Sequence, residues 1–249
     1  MPKTPTDLLA KTKRLRFRET PKTLFVFACL SFLCLTLFAN HDRAPRDLLG
    51  VVHINSTGCK SAPTQTVGTV IGNGLVLTVA HGVAGQKSTS ITTISGQVFE
   101  AKILAIDTEL DLAVLYVTTD PASKLDIEPI KFAKAVAGST VYFVAYQDSL
   151  QVIQPAKIKR TLSIKTQDIY LETRVTRPGI EVDAKVVVGN SGGPLINNNG
   201  EIVGIIWSTS RTFKNRSWAT RIEAANELLS RVSATNPSTQ SPQVVACVG

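Results

Sequence analysis

The chain has 249 residues, of which 43% are hydrophobic, and it carries a formal net charge of +8. This hydrophobic content excludes a disordered chain, and the length suits one all-β domain or a closely packed pair of barrels. Seven basic and two acidic residues lie in residues 1–39, so that segment alone supplies +5 of the +8. The rest of the chain has no basic stripe interleaved with aromatic residues, so we expect no nucleic-acid partner.

An uncharged apolar run follows the basic segment. Residues 23–39 read TLFVFACLSFLCLTLFA, and 17 residues are at the short end of what crosses a bilayer core. Because seven basic residues precede this run, the positive-inside rule keeps residues 1–22 in the cytoplasm and exports the rest. A poor small-x-small cleavage site favours a single-pass transmembrane signal anchor, followed by a linker at 40–47. Cleavage as a signal peptide, which would release a secreted protein, stays open.

From residue 48 onward, short strand-like runs alternate with Gly, Asn, Ser and Pro. The runs predict strands at 48–54, 65–71, 74–79, 90–94, 97–106, 111–117, 140–146, 151–159, 168–175, 194–196, 201–209 and 215–220. This spacing, with almost no helical periodicity, is typical of an all-β sandwich or barrel. Residues 119–130 are predicted to link two halves, at about 48–118 and 131–220.

The end of the chain has a different pattern. Residues 221–233 predict one helix, which we expect to pack on a barrel through a single apolar face. That face consists of Ile222, Ala225, Leu228, Leu229 and Val232. The tail at 234–249 is polar and rich in Pro and Ser, with no sign of a second folded module.

Four cysteines divide between two environments. Cys29 and Cys34 lie in the apolar run, where a thiol behaves as a small hydrophobic group. Cys59 and Cys247 lie in the part that is predicted to be exported, where an oxidising compartment permits a disulfide. A bridge between these two and a pair of free thiols fit the sequence equally well.

Three histidines and two carboxylates are the candidates for acid–base chemistry. His41 lies beside the apolar run and His53 lies within a Val-Val-His-Ile strand, where a structural role is expected. His81 ends the strand GLVLTV and opens the loop HGVAGQ, from which a side chain can project into a cleft. Asp111 heads the apolar strand DLAVLYV and needs a partner if it is buried. The alternative carboxylate, Asp107, lies in a turn-like DTEL stretch that is predicted to be exposed to solvent.

Residues 186–196, VVVGNSGGPLI, place a serine in a glycine-rich turn. Small residues are equally typical of a tight loop between buried strands, so Ser191 alone does not define a nucleophile. The histidine and the carboxylate at strand ends supply the base and the orienting acid that a serine nucleophile needs. Scattered histidines without an HExxH or Cys/His cluster exclude a metal-dependent hydrolase, so we expect no metal and no cofactor.

The segments TVAHGV, DLAVLYV and GNSGGPLI resemble the three signature segments of the trypsin-like (chymotrypsin-fold) serine proteases. Residues 182–205 and the segment WATRIEAANELL are most similar to the bacterial HtrA-like branch, although no PDZ domain follows. The resemblance covers about residues 48–233. It implies two six-stranded antiparallel β-barrels with a C-terminal helix, and protein or peptide substrates.

The resemblance also implies roles for the matched residues. His81, Asp111 and Ser191 would be the base, the orienting acid and the nucleophile of a catalytic triad. Gly189 and Ser191 would donate main-chain N–H groups to the oxyanion. Asn190 replaces the Asp that binds a new N-terminus in trypsin-type zymogens, so activation by N-terminal cleavage is not expected. The implied function is a membrane-anchored extracytoplasmic serine endopeptidase, and the alternative is a catalytically weak peptide-binding module.

One further set of residues is predicted to line the pocket for the substrate side chain before the scissile bond. It consists of Lys185, Val186, Ile205, Ile206 and Thr209. An aliphatic pocket around Val186 favours Val, Ala, Ile or Leu. The alternative is that Lys185 enters the pocket and selects acidic side chains, at the cost of burying a lone cation.

Overall fold

The computed structural model describes residues 48–72, 74–118, 125–233 and 236–248. The predicted basic segment, signal anchor and linker, together residues 1–47, lie outside the described residues. Among the helices of the described ranges, none is both long enough and apolar enough to cross a bilayer.

The described part of the chain contains twelve strands. The first six are β1 (Val51–Thr57), β2 (Thr64–Gly72), β3 (Leu75–Thr78), β4 (Ser88–Thr92), β5 (Val98–Asp107) and β6 (Leu112–Thr118). The other six are β7 (Thr140–Gln147), β8 (Leu150–Gln167), β9 (Arg174–Asp183), β10 (Pro194–Ile196), β11 (Ile202–Thr209) and β12 (Arg216–Arg221). A short helix, α1 (Ala80–Val83), follows β3, and a 3-10 turn (Ile222–Ala225) leads from β12 into helix α2 (Asn226–Ser233).

The strands form two six-stranded antiparallel sheets. The first is a closed barrel with the strand order β1-β2-β3-β6-β5-β4. The second runs β10-β11-β12-β9-β8-β7, and its ends are joined where Leu195 pairs with Phe143 and Ile196 pairs with Tyr142. The prediction of an all-β fold with a C-terminal helix is confirmed.

One predicted strand is wrong. The sequence predicts a strand at 168–175, but residues 168–173 form the turn between β8 and β9. Asp168 holds this turn, because its N–H donates to the Thr173 carbonyl and its Oδ1 accepts the N–H groups of Tyr170 and Glu172. The pair Pro178–Gly179 resembles a turn signal, yet it lies within β9. Pairing with β12 ends at Gly179, so Pro178 lies where β9 has β8 as its partner, a position that tolerates proline.

Helix α2 and the 3-10 turn dock through the predicted apolar face. Its buried members are Ile222, Ala225, Leu228 and Val232. They share one hydrophobic cluster with Val51 and Leu77 of the first barrel and with Ile202 of the second sheet. The helix therefore packs into a core to which both sheets contribute.

The polar tail returns to the first barrel. Lys102 Nζ donates to the carbonyl oxygens of Ser238 and Gln240, at 3.1 and 2.7 Å. Farther along, Cys247 forms a disulfide with Cys59, with Cα atoms 5.6 Å apart. This bridge is one of the two arrangements that the sequence leaves open, and it ties the end of the tail to the segment between β1 and β2.

Leu228→Ala is expected to lower the free energy of unfolding by about 2–5 kcal/mol, because it leaves a cavity in the core that both sheets share. Urea denaturation measures the change. Ser230→Ala, at an exposed position of the same helix, is the matched control and should stay within about 0.5 kcal/mol of wild type. Equal effects of the two substitutions would contradict the docking of α2.

Candidate active site

His81 lies in α1, directly after β3, and not in the predicted loop. Its ring Nδ1 is 2.8 Å from Asp111 Oδ2, and its main-chain N–H donates to Asp111 Oδ1 at 2.9 Å. The His81 side chain is 30% exposed, whereas that of Asp111 is 5% exposed. A neutral imidazole donates from Nδ1 to this carboxylate, which leaves Nε2 free to accept a proton from the cleft.

Asp111 precedes β6 in an unusual backbone conformation. Its φ is 58°, in the left-handed region that residues with side chains rarely adopt. The turn before it is built by Asp107, whose Oδ1 accepts the N–H groups of Glu109 and Leu110 at 3.1 and 2.8 Å. Asp111, the carboxylate that the sequence favours, is therefore the partner of His81, and Asp107 forms the turn.

The charges around His81 determine its pKa. Burial lowers the pKa of the imidazole, but the charge of Asp111 and the hydrogen bond to it raise the pKa by more. The pKa of His81 therefore lies above its ordinary value of 6.5, although the positive charges of Arg177 and Lys60 oppose this rise. His53 differs, since burial lowers its pKa below the ordinary value.

The Ser191 turn is attached to the first barrel through its main chain. The Val67 N–H donates to the Ser191 carbonyl at 2.8 Å, and Thr78 Oγ1 donates to the Val67 carbonyl at 2.7 Å. Gly192 has a φ of 88°, and a Cβ at this position would overlap the Val67 carbonyl oxygen, so that only glycine fits. These contacts bring the Ser191 main chain beside the end of β3, next to the helix that carries His81.

Asn190 holds the loop before the serine in place. Its Nδ2 donates to the Tyr146 carbonyl at 2.9 Å, and its Oδ1 accepts the Val187 N–H at 3.3 Å. The Asn190 N–H donates to the Val187 carbonyl, and Gly189 has a φ of 92°, as in a type II turn. Within the described part of the chain, the N–H groups of Gly189 and Ser191 have no acceptor. Both can therefore donate to a ligand oxygen.

The structure joins two of the three predicted triad residues by a hydrogen bond. His81 and Asp111 are in direct contact, whereas no hydrogen bond links Ser191 Oγ to His81 in the described ranges. Catalytic hydrogen bonds of this kind tighten when substrate binds. The triad and oxyanion roles of these residues stay predictions.

Not all residues of the predicted specificity pocket reach the surface. Ile205 and Ile206 have no exposed surface and belong to different core clusters, because successive side chains of β11 face opposite sides. They therefore do not form an accessible pocket wall. Lys185 and Thr209 are exposed, and Val186 is partly buried against the core of the second sheet. The preference for small aliphatic side chains stays a prediction.

A cavity of about 510 Å³ opens beside His81. Its walls include Arg177, Trp207, Val248 and the turn at 168–171. Sequence reasoning missed these wall residues, and the stretch RVTRPGIEV, which contains Arg177, carries no local signal for a role at the site. In the described ranges, no three His, Cys, Asp or Glu side chains are grouped to hold a metal ion.

Comparisons with known proteins identify the class of protein to which this chain belongs. The family described as trypsin-like peptidase domain matches residues 66–205. The serine protease Rv3671c of Mycobacterium tuberculosis is 31% identical over 70% of this chain and 43% of that protein. A probable periplasmic serine endoprotease DegP-like of Halomonas elongata is 32% identical over 63% of this chain and 32% of that protein. The crystal structure of the Rv3671c protease in its active form is 25% identical and has a TM-score of 0.72, covering 99% of this chain and 100% of the crystallised one.

The chain therefore belongs to the trypsin-like peptidase domain family and is homologous to HtrA-type serine proteases. The predicted resemblance to the trypsin-like, HtrA-like serine proteases is confirmed. The predicted all-β chymotrypsin-like fold with a small C-terminal helix is also confirmed. The chain spans 43% and 32% of the lengths of these two curated relatives.

Asn190→Ala is expected to lower the free energy of unfolding by about 1–3 kcal/mol, since it removes a partner from the Tyr146 carbonyl and the Val187 N–H. Amide hydrogen exchange should also become faster at residues 187–190. Urea denaturation and exchange mass spectrometry measure the two effects. The control is Asn199→Ala, at an exposed turn position, which should change neither. If residues 187–190 exchange their amide hydrogens as slowly in Asn190→Ala as in the control, the side-chain amide of Asn190 does not hold this loop in place.

Proposed function

We propose that the chain is a serine endopeptidase that hydrolyses peptide bonds through an acyl-enzyme on Ser191. The observation that carries the proposal is the 2.8 Å contact between His81 Nδ1 and Asp111 Oδ2. It lies beside a glycine-rich turn whose Gly189 and Ser191 N–H groups have no acceptor in the described residues. Membership of the family, and relatives named serine proteases, support the same reaction.

The reaction follows from these contacts. His81 Nε2 takes the proton of Ser191 Oγ as that oxygen attacks the substrate carbonyl, and Asp111 stabilises the imidazolium that forms. The N–H groups of Gly189 and Ser191 donate to the oxyanion, each contributing about 3 kcal/mol. The peptide C–N bond then breaks as His81 gives its proton to the leaving amine. Water attacks the acyl-enzyme by the same route, which releases the acid and restores the Ser191 hydroxyl.

Ser191→Ala is expected to abolish labelling by a fluorophosphonate probe and to lower kcat for peptide hydrolysis on the order of 10⁶-fold, with an unchanged circular dichroism spectrum. The matched control is Ser163→Ala, at an exposed position on β8, which keeps both activities. Hydrolysis by Ser191→Ala at the wild-type rate would rule out this nucleophile. A wild-type chain that binds peptides but neither hydrolyses them nor reacts with the probe would be a peptide-binding module instead.

We further propose that the protease domain lies outside the cytoplasm, tethered to the membrane by residues 23–39. Three observations support this placement. The run is uncharged and follows seven basic residues, which is the pattern of an exported chain. The disulfide between Cys59 and Cys247 fits an oxidising compartment. The DegP-like relative is named as periplasmic.

The full-length chain should therefore stay in the membrane fraction after an alkaline wash, with a C-terminal tag that protease reaches only from outside. Leu30→Arg should release the chain or block its export, because a cation in the middle of the run costs about 2.5–3.5 kcal/mol. Leu30→Ile is the matched control and should behave as wild type. A soluble mature chain that starts near Asn40 would show instead that the run is a cleaved signal peptide.

A further inference from the structure

Arg177, on β9, is a buried cation beside Asp111, the partner of His81. Its side chain is 3% exposed, and Nη1 lies 3.6 Å from Asp111 Oδ2. Nε donates to the Glu109 carbonyl, and Nη2 donates to the Gln167 carbonyl at 3.0 Å. The ring of Trp207 covers the guanidinium, with Cζ 4.6 Å from the ring centroid. Each guanidinium nitrogen thus has a partner, which holds the group in one position.

Two of the partners of Arg177, Asp111 and the Glu109 carbonyl, belong to one short segment of the chain. Burying a cation costs free energy unless a fixed anion and hydrogen-bond acceptors compensate for the lost water. Asp111 supplies the anion, and its Oδ2 lies between His81 Nδ1 and Arg177 Nη1, at 2.8 and 3.6 Å. The Glu109 carbonyl supplies an acceptor only two residues before Asp111. Arg177 therefore contacts both the side chain of Asp111 and the backbone that leads into it.

We propose, building on the function proposed above, that Arg177 is a positioning residue for the proposed triad. It holds residues 109–111 in the turn that gives Asp111 its left-handed φ of 58°. That conformation is unfavourable for a residue with a side chain, so it persists only where neighbouring contacts maintain it. Arg177 also places a fixed positive charge 3.6 Å from Asp111 Oδ2, the oxygen that contacts the imidazole.

This charge acts on the base. The charged groups that act on His81 are Asp111, Arg177 and Lys60, and those that act on Arg177 are Asp111, Asp107 and Asp168. Asp111 raises the pKa of His81, whereas Arg177 and Lys60 lower it. Only the neutral imidazole can accept the Ser191 proton, so Arg177 keeps more His81 in the reactive form near neutral pH. Removal of this charge should move the acid limb of the pH–rate profile to higher pH.

Arg177→Met tests the proposal, because it keeps an unbranched apolar stem and removes the charged head. In the full-length chain, with rates normalised to the probe-reactive fraction, kcat/KM should fall about tenfold, as for other partners that orient a functional group. The acid limb of the pH–rate profile should move to higher pH by about one unit. Arg177→Lys keeps the charge but loses the planar set of donors, so kcat/KM should fall while the acid limb stays near that of wild type. Arg160→Met is the control, because Arg160 pairs with Glu181 and not with Asp111.

A second measurement does not depend on turnover. The His81 ring is titrated by NMR in ¹⁵N-histidine-labelled full-length protein, with its signal assigned by His81→Gln. An upward shift of the His81 midpoint in Arg177→Met supports the proposal, and an unchanged midpoint together with an unchanged acid limb overturns it. Absence of hydrolysis by the wild type would overturn the proposed function alone, because the NMR midpoint still reports on Arg177. If Arg177→Met does not fold, Arg177→Lys decides, and wild-type kcat/KM in that variant overturns the positioning role.

Discussion

Desolvation of the Asp111 carboxylate is the constraint on which the geometry of the site depends. With only 5% of its side chain exposed, this anion needs partners that replace water. His81 supplies two of them: its main-chain N–H donates to Oδ1, and its ring contacts Oδ2. Arg177 lies 3.6 Å from Oδ2. The contacts that make burial of the charge tolerable also fix which way the imidazole faces. Compensation of a buried charge and orientation of a base are thus achieved by the same atoms.

The two sheets contribute different parts of this arrangement. The first barrel carries His81 and Asp111 at the ends of its strands, whereas the second sheet carries Arg177 and the Ser191 turn. Hydrogen bonds hold the two halves together close to the site, as where the Tyr146 hydroxyl donates to the Val51 carbonyl at 2.8 Å. A site assembled on strand ends of two packed sheets keeps its groups in position without relying on a mobile loop.

The loop before the serine is ordered by a neutral side chain. The Asn190 amide donates to the Tyr146 carbonyl and accepts the Val187 N–H. An ionised carboxylate is an acceptor only, so an aspartate here would need a donor or a cation in place of that carbonyl. This chemistry gives a physical basis for the expectation that the chain needs no new N-terminus for activation, which stays a prediction.

The sequence by itself determined the all-β class, the C-terminal helix and the candidate segments around His81 and Ser191, because side-chain periodicity and turn glycines are local properties. The prediction made from the sequence failed at 168–175. The turn there and the continuation of β9 through Pro178 depend on pairing between β8 and β9, and this pairing has no local signal in the sequence. The sequence favoured Asp111 over Asp107, but only the tertiary structure showed that Asp111 contacts His81 and that Arg177 lies 3.6 Å from the same carboxylate. Both contacts join residues far apart in the chain, 30 positions in the first case. The first contact forms only when the first barrel closes, and the second forms only when strands from the two sheets have packed.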